Sequence, residues 1–141
     1  MIPAIDVVDA PVVAVGVRPD AEMEVPAGDH VGWYRFGPRP GDAGSAVLAA
    51  HVAFDGREGL FRRLGELEAG DRLSVVFDDG TAREFEAVER AQYGKDQLPL
   101  DRIFAEQGGA TLALVTCGGT FDRSLRSYAD NVVVYAVPVG G

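Results

Sequence analysis

Thr111-Leu112-Ala113-Leu114-Val115-Thr116-Cys117, followed directly by Gly118-Gly119, is the stretch on which the reading of this chain turns. It is a short apolar run with β-branched residues near its end, and it reads as a buried strand. The strand stops at Cys117, the only cysteine of the chain, so no internal disulfide is possible. A thiol at the end of an apolar strand stands where a rigid β-scaffold meets a loop. Reactive groups favour that border, because the strand fixes them while the loop admits a substrate. Free cysteine is also among the most buried residue types, so this segment alone is equally a packed strand end.

Other apolar runs of the same kind lie to either side. Ser45 to Val52 is strongly apolar and short enough for a buried strand, and Asn131 to Val139 carries the β-branched trio Val132-Val133-Val134. Ile2 to Val8, Pro11 to Val17 and Val31 to Phe36 read as strands nearer the start. Arg72 to Asp78 and Ala82 to Ala91 form a hairpin joined at Asp78-Asp79-Gly80-Thr81. Its second arm sets Phe85, Ala87 and Ala91 against Glu84, Glu86 and Arg90, the alternation of a half-buried strand. Gly59 to Leu64 suits one or two helical turns ending near Gly65, and Leu100 to Gln107 suits a short helix. Gly37-Pro38-Arg39-Pro40-Gly41 is a loop, since its prolines lack ladder donors. About eight strands and one or two short helices point to a mainly β chain closed, or nearly closed, into a barrel.

Composition narrows the function classes. The 141 residues fit one domain, and 47% of them are apolar, enough to build a core and to exclude disorder. Acidic residues outnumber basic ones by 22 to 13, a formal charge of −9, which argues against binding nucleic acid or anionic lipid. No apolar run approaches the roughly 20 residues that span a bilayer, and Met1-Ile2-Pro3-Ala4 does not read as a signal peptide. The chain is expected to be soluble. His30, His51 and Cys117 are far apart and form none of the close ligand pairs of zinc sites, so no metal or other cofactor is expected.

His51 ends the run Val47-Leu48-Ala49-Ala50 and precedes a polar, glycine-bearing loop, as Cys117 does at its own strand end. Alone it could be a core histidine bonded to a backbone carbonyl. Together the two are the obvious pair for nucleophilic catalysis, with a thiolate as nucleophile and an imidazole exchanging protons near neutral pH. Beyond the cysteine, Arg123 and Arg126 lie in one loop of an acidic protein. A guanidinium there could steady an oxyanion or hold a substrate carbonyl, or it could simply pair with surface carboxylates.

In this order the pieces resemble a sortase, specifically the class E/F type of actinobacteria. Ile2-Pro3-Ala4-Ile5 and Ala10-Pro11-Val12 are similar to the family's opening strands. Val31-Gly32-Trp33-Tyr34 and Gly44 to His51 resemble the approach to its catalytic histidine, and Gly59 to Leu64 with Gly70-Asp71 the stretch after it. Leu114-Val115-Thr116-Cys117 resembles its thiol signature, ahead of a last β-branched strand. The resemblance runs over nearly the whole chain.

It implies a single catalytic domain over residues 1–141 on an eight-stranded closed barrel, working as a cysteine transpeptidase. An LPXTG-type sorting signal would be cleaved between threonine and glycine, with Cys117 attacking the threonine carbonyl to give a thioacyl intermediate. His51 would protonate the departing amine and deprotonate the incoming one, which a cell-wall precursor or a pilin would supply. Many sortases carry the oxyanion arginine at the start of the last strand, where this chain has Asp130-Asn131. Arg126 is preferred for the role because it lies closer to that strand than Arg123 and just ahead of Tyr128. Thr116 would help line the site, and Leu98 and Pro99 would belong to the wall that accepts the signal. The same resemblance implies work at the outer face of the membrane, through an anchor that this chain lacks. Two alternatives stay open: a cysteine peptidase in which water resolves the thioester, and a non-catalytic module in which Cys117 and His51 are packing residues.

Overall fold

The computed structural model describes residues 2, 12–15, 30–51, 53–54, 57–58, 61, 63–77, 80–94, 99–105, 107–117, 121–122, 127–128 and 130–139. Their elements are β1 (Val12–Val15), β2 (Val31–Tyr34), β3 (Ser45–His51), β4 (Ala53–Phe54), β5 (Arg57–Glu58), β6 (Arg72–Val76) and β7 (Ala82–Gly94). After these come α1 (Leu100–Ile103), β8 (Thr111–Cys117), β9 (Phe121–Asp122), β10 (Ser127–Tyr128) and β11 (Asp130–Pro138). Seven strands make the main sheet in the order β1-β2-β3-β8-β11-β7-β6. β1–β2 and β3–β8 are parallel pairs, and the other neighbours run antiparallel.

The two expected runs at the middle of the sheet, β3 and β8, are apolar throughout because both of their faces are covered. Ala46, Leu48, Ala50, Leu112, Leu114, Val134 and Ala136 point into the larger core with Phe61, Leu64, Leu67, Leu73 and Phe85. The alternate residues Val47, Ala113, Val133 and Tyr135 form a second, smaller core closed by Ile103 of α1. The sheet curls around the larger core as a half-barrel. Among the described residues no pair joins β6 to β1, so the closed eight-stranded barrel of the sequence reading is met here by seven strands with two edges. The further strand expected over residues 2–8 lies outside the described residues, except for Ile2, which is buried.

Three local expectations shift. The helix expected to end near Gly65 becomes, among the described residues, a single 3-10 turn at Leu64–Glu66 that contains Gly65. The helix expected over Leu100 to Gln107 stops at Ile103, and Gly108 turns the chain with a φ of +102°. The third shift lies in β7. Tyr135 pairs with Glu89 while the next residue, Ala136, pairs with Ala87, which leaves Val88 as an extra residue. This bulge reverses the side-chain alternation. Phe85 and Ala87 therefore face the larger core, whereas Ala91, expected on their face, lies with Glu89 and Tyr93 on the α1 side.

Candidate active site

β3 and β8 run parallel and in register from Ser45↔Thr111 to His51↔Cys117. The two residues picked out by their chemistry are thus cross-strand partners at the same ends of adjacent strands. Strand spacing sets their backbones about 4.8 Å apart. Alternation along β3 and β8 from Val47 and Ala113 puts positions 51 and 117 on the α1 side of the sheet. Between them and α1 lies the row Ala49, Val115, Val133 and Ala91, joined strand to strand by register.

Thr116, expected to line the site, is 1% exposed and belongs to the opposite face. Its Oγ1 accepts a hydrogen bond from the Val132 N–H at 2.8 Å and donates to the Val132 carbonyl at 3.4 Å. The hydroxyl takes the part of a ladder partner behind Cys117. Pro99 is half-buried, and its carbonyl accepts the backbone N–H groups of Arg102 and Ile103, both at 3.0 Å, which starts α1. Leu98, Arg123 and Arg126 lie outside the described residues.

Sequence reasoning missed a polar cluster beside this row. Arg102 of α1 donates two hydrogen bonds to the Glu89 carboxylate, Nη1 at 2.9 Å and Nη2 at 2.8 Å. Its guanidinium lies 3.7 Å from the ring centroid of Tyr135, which is 1% exposed. The Tyr135 and Tyr93 hydroxyls are 3.3 Å apart. Burial first, and then the bond to Tyr93, holds the Tyr135 phenol well above its ordinary value. The Arg102 hydrogen bonds hold the Glu89 carboxyl below the usual carboxylate range and raise Arg102 in turn. These residues come from three separate elements, so no local pattern announces them.

A cavity of about 330 Å³ between Arg39, Asp42, Phe77 and Arg83 is remote from this chemistry. It adjoins the start of β3 and the β6–β7 turn, and the six steps of β3 from Ser45 to His51 separate it from the His51 end by roughly 20 Å.

Comparison with known proteins agrees with the ordered motifs. No curated protein matches the sequence. Among solved structures, a lid mutant of Streptococcus agalactiae sortase C1 superposes with a TM-score of 0.73 at 21% identity, covering 100% of this chain and 66% of that one. The chain thus spans just under two thirds of that structure. Listeria monocytogenes sortase A gives a TM-score of 0.72 at 18% identity, covering 99% of this chain and 83% of the other. A Clostridium perfringens sortase D5 transpeptidase gives 0.65 at 19% identity, covering 92% and 70%. These likenesses establish the fold, and the family model described as Sortase domain matches residues 1–139. The chain belongs to the sortase family.

Proposed function

We propose that this chain is the catalytic domain of a class E/F-type sortase, joining an LPXTG-type sorting signal to an amine at the cell surface. The observation that carries the reading is the His51↔Cys117 pairing at the ends of two parallel core strands. It sets the two residues side by side at the same ends of adjacent strands in the middle of the sheet.

In the proposed reaction the Cys117 thiolate attacks the carbonyl carbon of the signal's threonine. The tetrahedral oxyanion is held by Arg126. As the carbon–nitrogen bond breaks, the His51 imidazolium gives its proton to the departing glycine nitrogen, leaving a thioester on Cys117. An amine then enters, loses a proton to His51 and displaces the thiolate, so a new amide forms and the enzyme is regenerated. Pro99, with Leu98, belongs to the wall that accepts the signal. Thr116 acts from behind, fixing where β8 parts from β11 next to the nucleophile. The amine would come from a cell-wall precursor or a pilin. An eight-stranded barrel would need one more strand, and residues 2–8 supply a candidate.

The test is ligation in solution. An LPXTG-type peptide and a primary amine are incubated with the protein, and mass spectrometry looks for the joined product and for a thioacyl adduct on Cys117. Cys117→Ala should abolish both, and activity that survives it sinks the reading. A product that is mainly free acid even with abundant amine would assign a peptidase instead.

A further inference from the structure

α1 has four residues, too few to persist alone, because a single helical turn fixes many dihedrals for very few hydrogen bonds. Its position over the sheet must come from tertiary contacts. Ile103 is 1% exposed in the smaller core, and Phe104 meets Tyr34 edge to face at 5.1 Å between ring centroids. Both contacts are apolar and neither is a hydrogen bond. The directional side-chain contact of α1 is Arg102, forked onto Glu89 and stacked on Tyr135, and just past the helix the Ala105 carbonyl accepts the Ser45 N–H of β3 at 2.6 Å. A planar guanidinium held along one edge by both carboxylate oxygens and on one face by a ring has little freedom left.

That contact exists because of the bulge at Val88. Were the strand regular through Val88, Glu89 would follow Phe85 and Ala87 onto the larger core, where a carboxylate has no place. The bulge turns Glu89 toward α1, and Tyr93 with it. Tyr93 pairs with Asn131, at the same end of the sheet as Cys117, and its hydroxyl meets that of Tyr135 under the guanidinium. A continuous chain of contacts therefore runs from α1 to within two strands of the nucleophile position.

We propose that Arg102, clasped by Glu89 and seated on Tyr135, is a positioning residue that holds α1 as a preformed wall beside the His51–Cys117 edge. The clasp governs how well the peptide is bound rather than how fast it reacts, which rests on the transpeptidase reading. Both partners are about half exposed, at 48% and 46%, so the clasp is also open to screening by salt.

Two measurements test it independently. Amide hydrogen exchange followed by mass spectrometry reads the wall directly, with no substrate. Arg102→Ala should raise exchange at residues 100–105 by at least roughly threefold while β3 and β8 stay protected. Glu89→Gln should do so less, and the charge-reversed pair Arg102→Glu with Glu89→Arg should recover part of the protection. Unchanged exchange in Arg102→Ala overturns the clasp whatever the enzyme does. In ligation assays Arg102→Ala should raise KM for the peptide by roughly three- to tenfold with kcat within about twofold, and the reversed pair should partly restore KM. A fall in kcat at unchanged KM also overturns it. Wild-type protein that shows altered exchange in its variants but never turns over the peptide sinks the transpeptidase reading and leaves the clasp standing.

Discussion

Thr116 shows how much one hydroxyl can decide. Its Oγ1 serves both polar groups of Val132, and the site is 1% exposed, so water cannot replace it. Thr116→Val keeps the shape and orphans a buried N–H, which should cost about 1–3 kcal/mol in urea denaturation. Thr116→Ser keeps the bond and removes one methyl, costing about 0.8 kcal/mol. If Ser proves as damaging as Val, the hydroxyl is not the reason for threonine here. The phenol of Tyr135 makes a second single-residue case. Its folded value is raised, so its share of stability is complete below the ordinary tyrosine value and drains away as pH climbs above about 10. Tyr135→Phe should flatten that alkaline loss in a pH series of thermal melts. Glu89 has the opposite sign: its folded value is lowered, so the clasp is intact above the usual carboxylate range and loosens as pH falls through the lowered value. Hydrogen exchange at α1 should therefore, after correction for intrinsic rates, quicken at acid pH sooner than exchange in β8.

At the scale of elements, the bulge in β7 carries the sharpest consequence. Deleting Val88 would remove the bulge yet leave Glu89, now next after Ala87, still opposite Tyr135, so Glu89, Ala91 and Tyr93 would keep the α1 side. That deletion should lower stability by no more than about 1 kcal/mol. Deleting Arg90 instead draws Val88 into the ladder and sets Glu89 opposite Val134 on the larger core. This second deletion should cost several kcal/mol, on the order of a lost core residue together with a buried charge. Val88→Ala, at a position 46% exposed, should change stability by no more than about 0.5 kcal/mol, and near-equal melts for the two deletions would refute this view of the bulge. The same bulge marks the limit of what the sequence discloses. β3, β8 and β11 are legible because burial on both faces writes itself as unbroken apolar runs. The β6–β7 hairpin is legible from Gly80 and the alternation up to Ala87. Past that point the pattern continues on paper, Phe85, Ala87, Ala91, while the strand has turned over. Nothing local distinguishes Val88 as the unpaired residue, because its role depends on what β11 presents opposite. The site divides in the same way. His51 and Cys117 stand out by chemistry and by their strand ends, but their pairing follows from β3 and β8 being parallel neighbours. The Arg102–Glu89–Tyr135 contact depends on three elements at once and leaves no trace in any one of them.

For the molecule as a whole, the chain's order sets a requirement on folding. β11 comes last in sequence yet sits inside the sheet, between β8 and β7. It carries Val133, Val134, Tyr135 and Ala136, each at most 1% exposed, and so contributes to both cores. The pairing of β3 with β8 likewise joins segments more than sixty residues apart. Non-local pairings of this kind give no return until long loops have closed, so folding should be slow, in the range of milliseconds to seconds. It should also be indivisible. A chain that stops at Tyr128 retains the His51 and Cys117 positions and their strands, yet loses the strand that bridges β8 to β7. Its two cores would each open along a row of large apolar side chains, more than a margin of about 5–15 kcal/mol can absorb. The truncated chain should show no cooperative thermal transition by circular dichroism, and its amide NMR spectrum should collapse into the narrow range of an unfolded chain. Addition of a peptide covering residues 130–139 should recover dispersion if the sheet can be completed from outside. A truncated chain that melts cooperatively without the peptide would show that β3 and β8 hold the His51–Cys117 edge together by themselves, and that β11 is an accessory to the site rather than part of its frame.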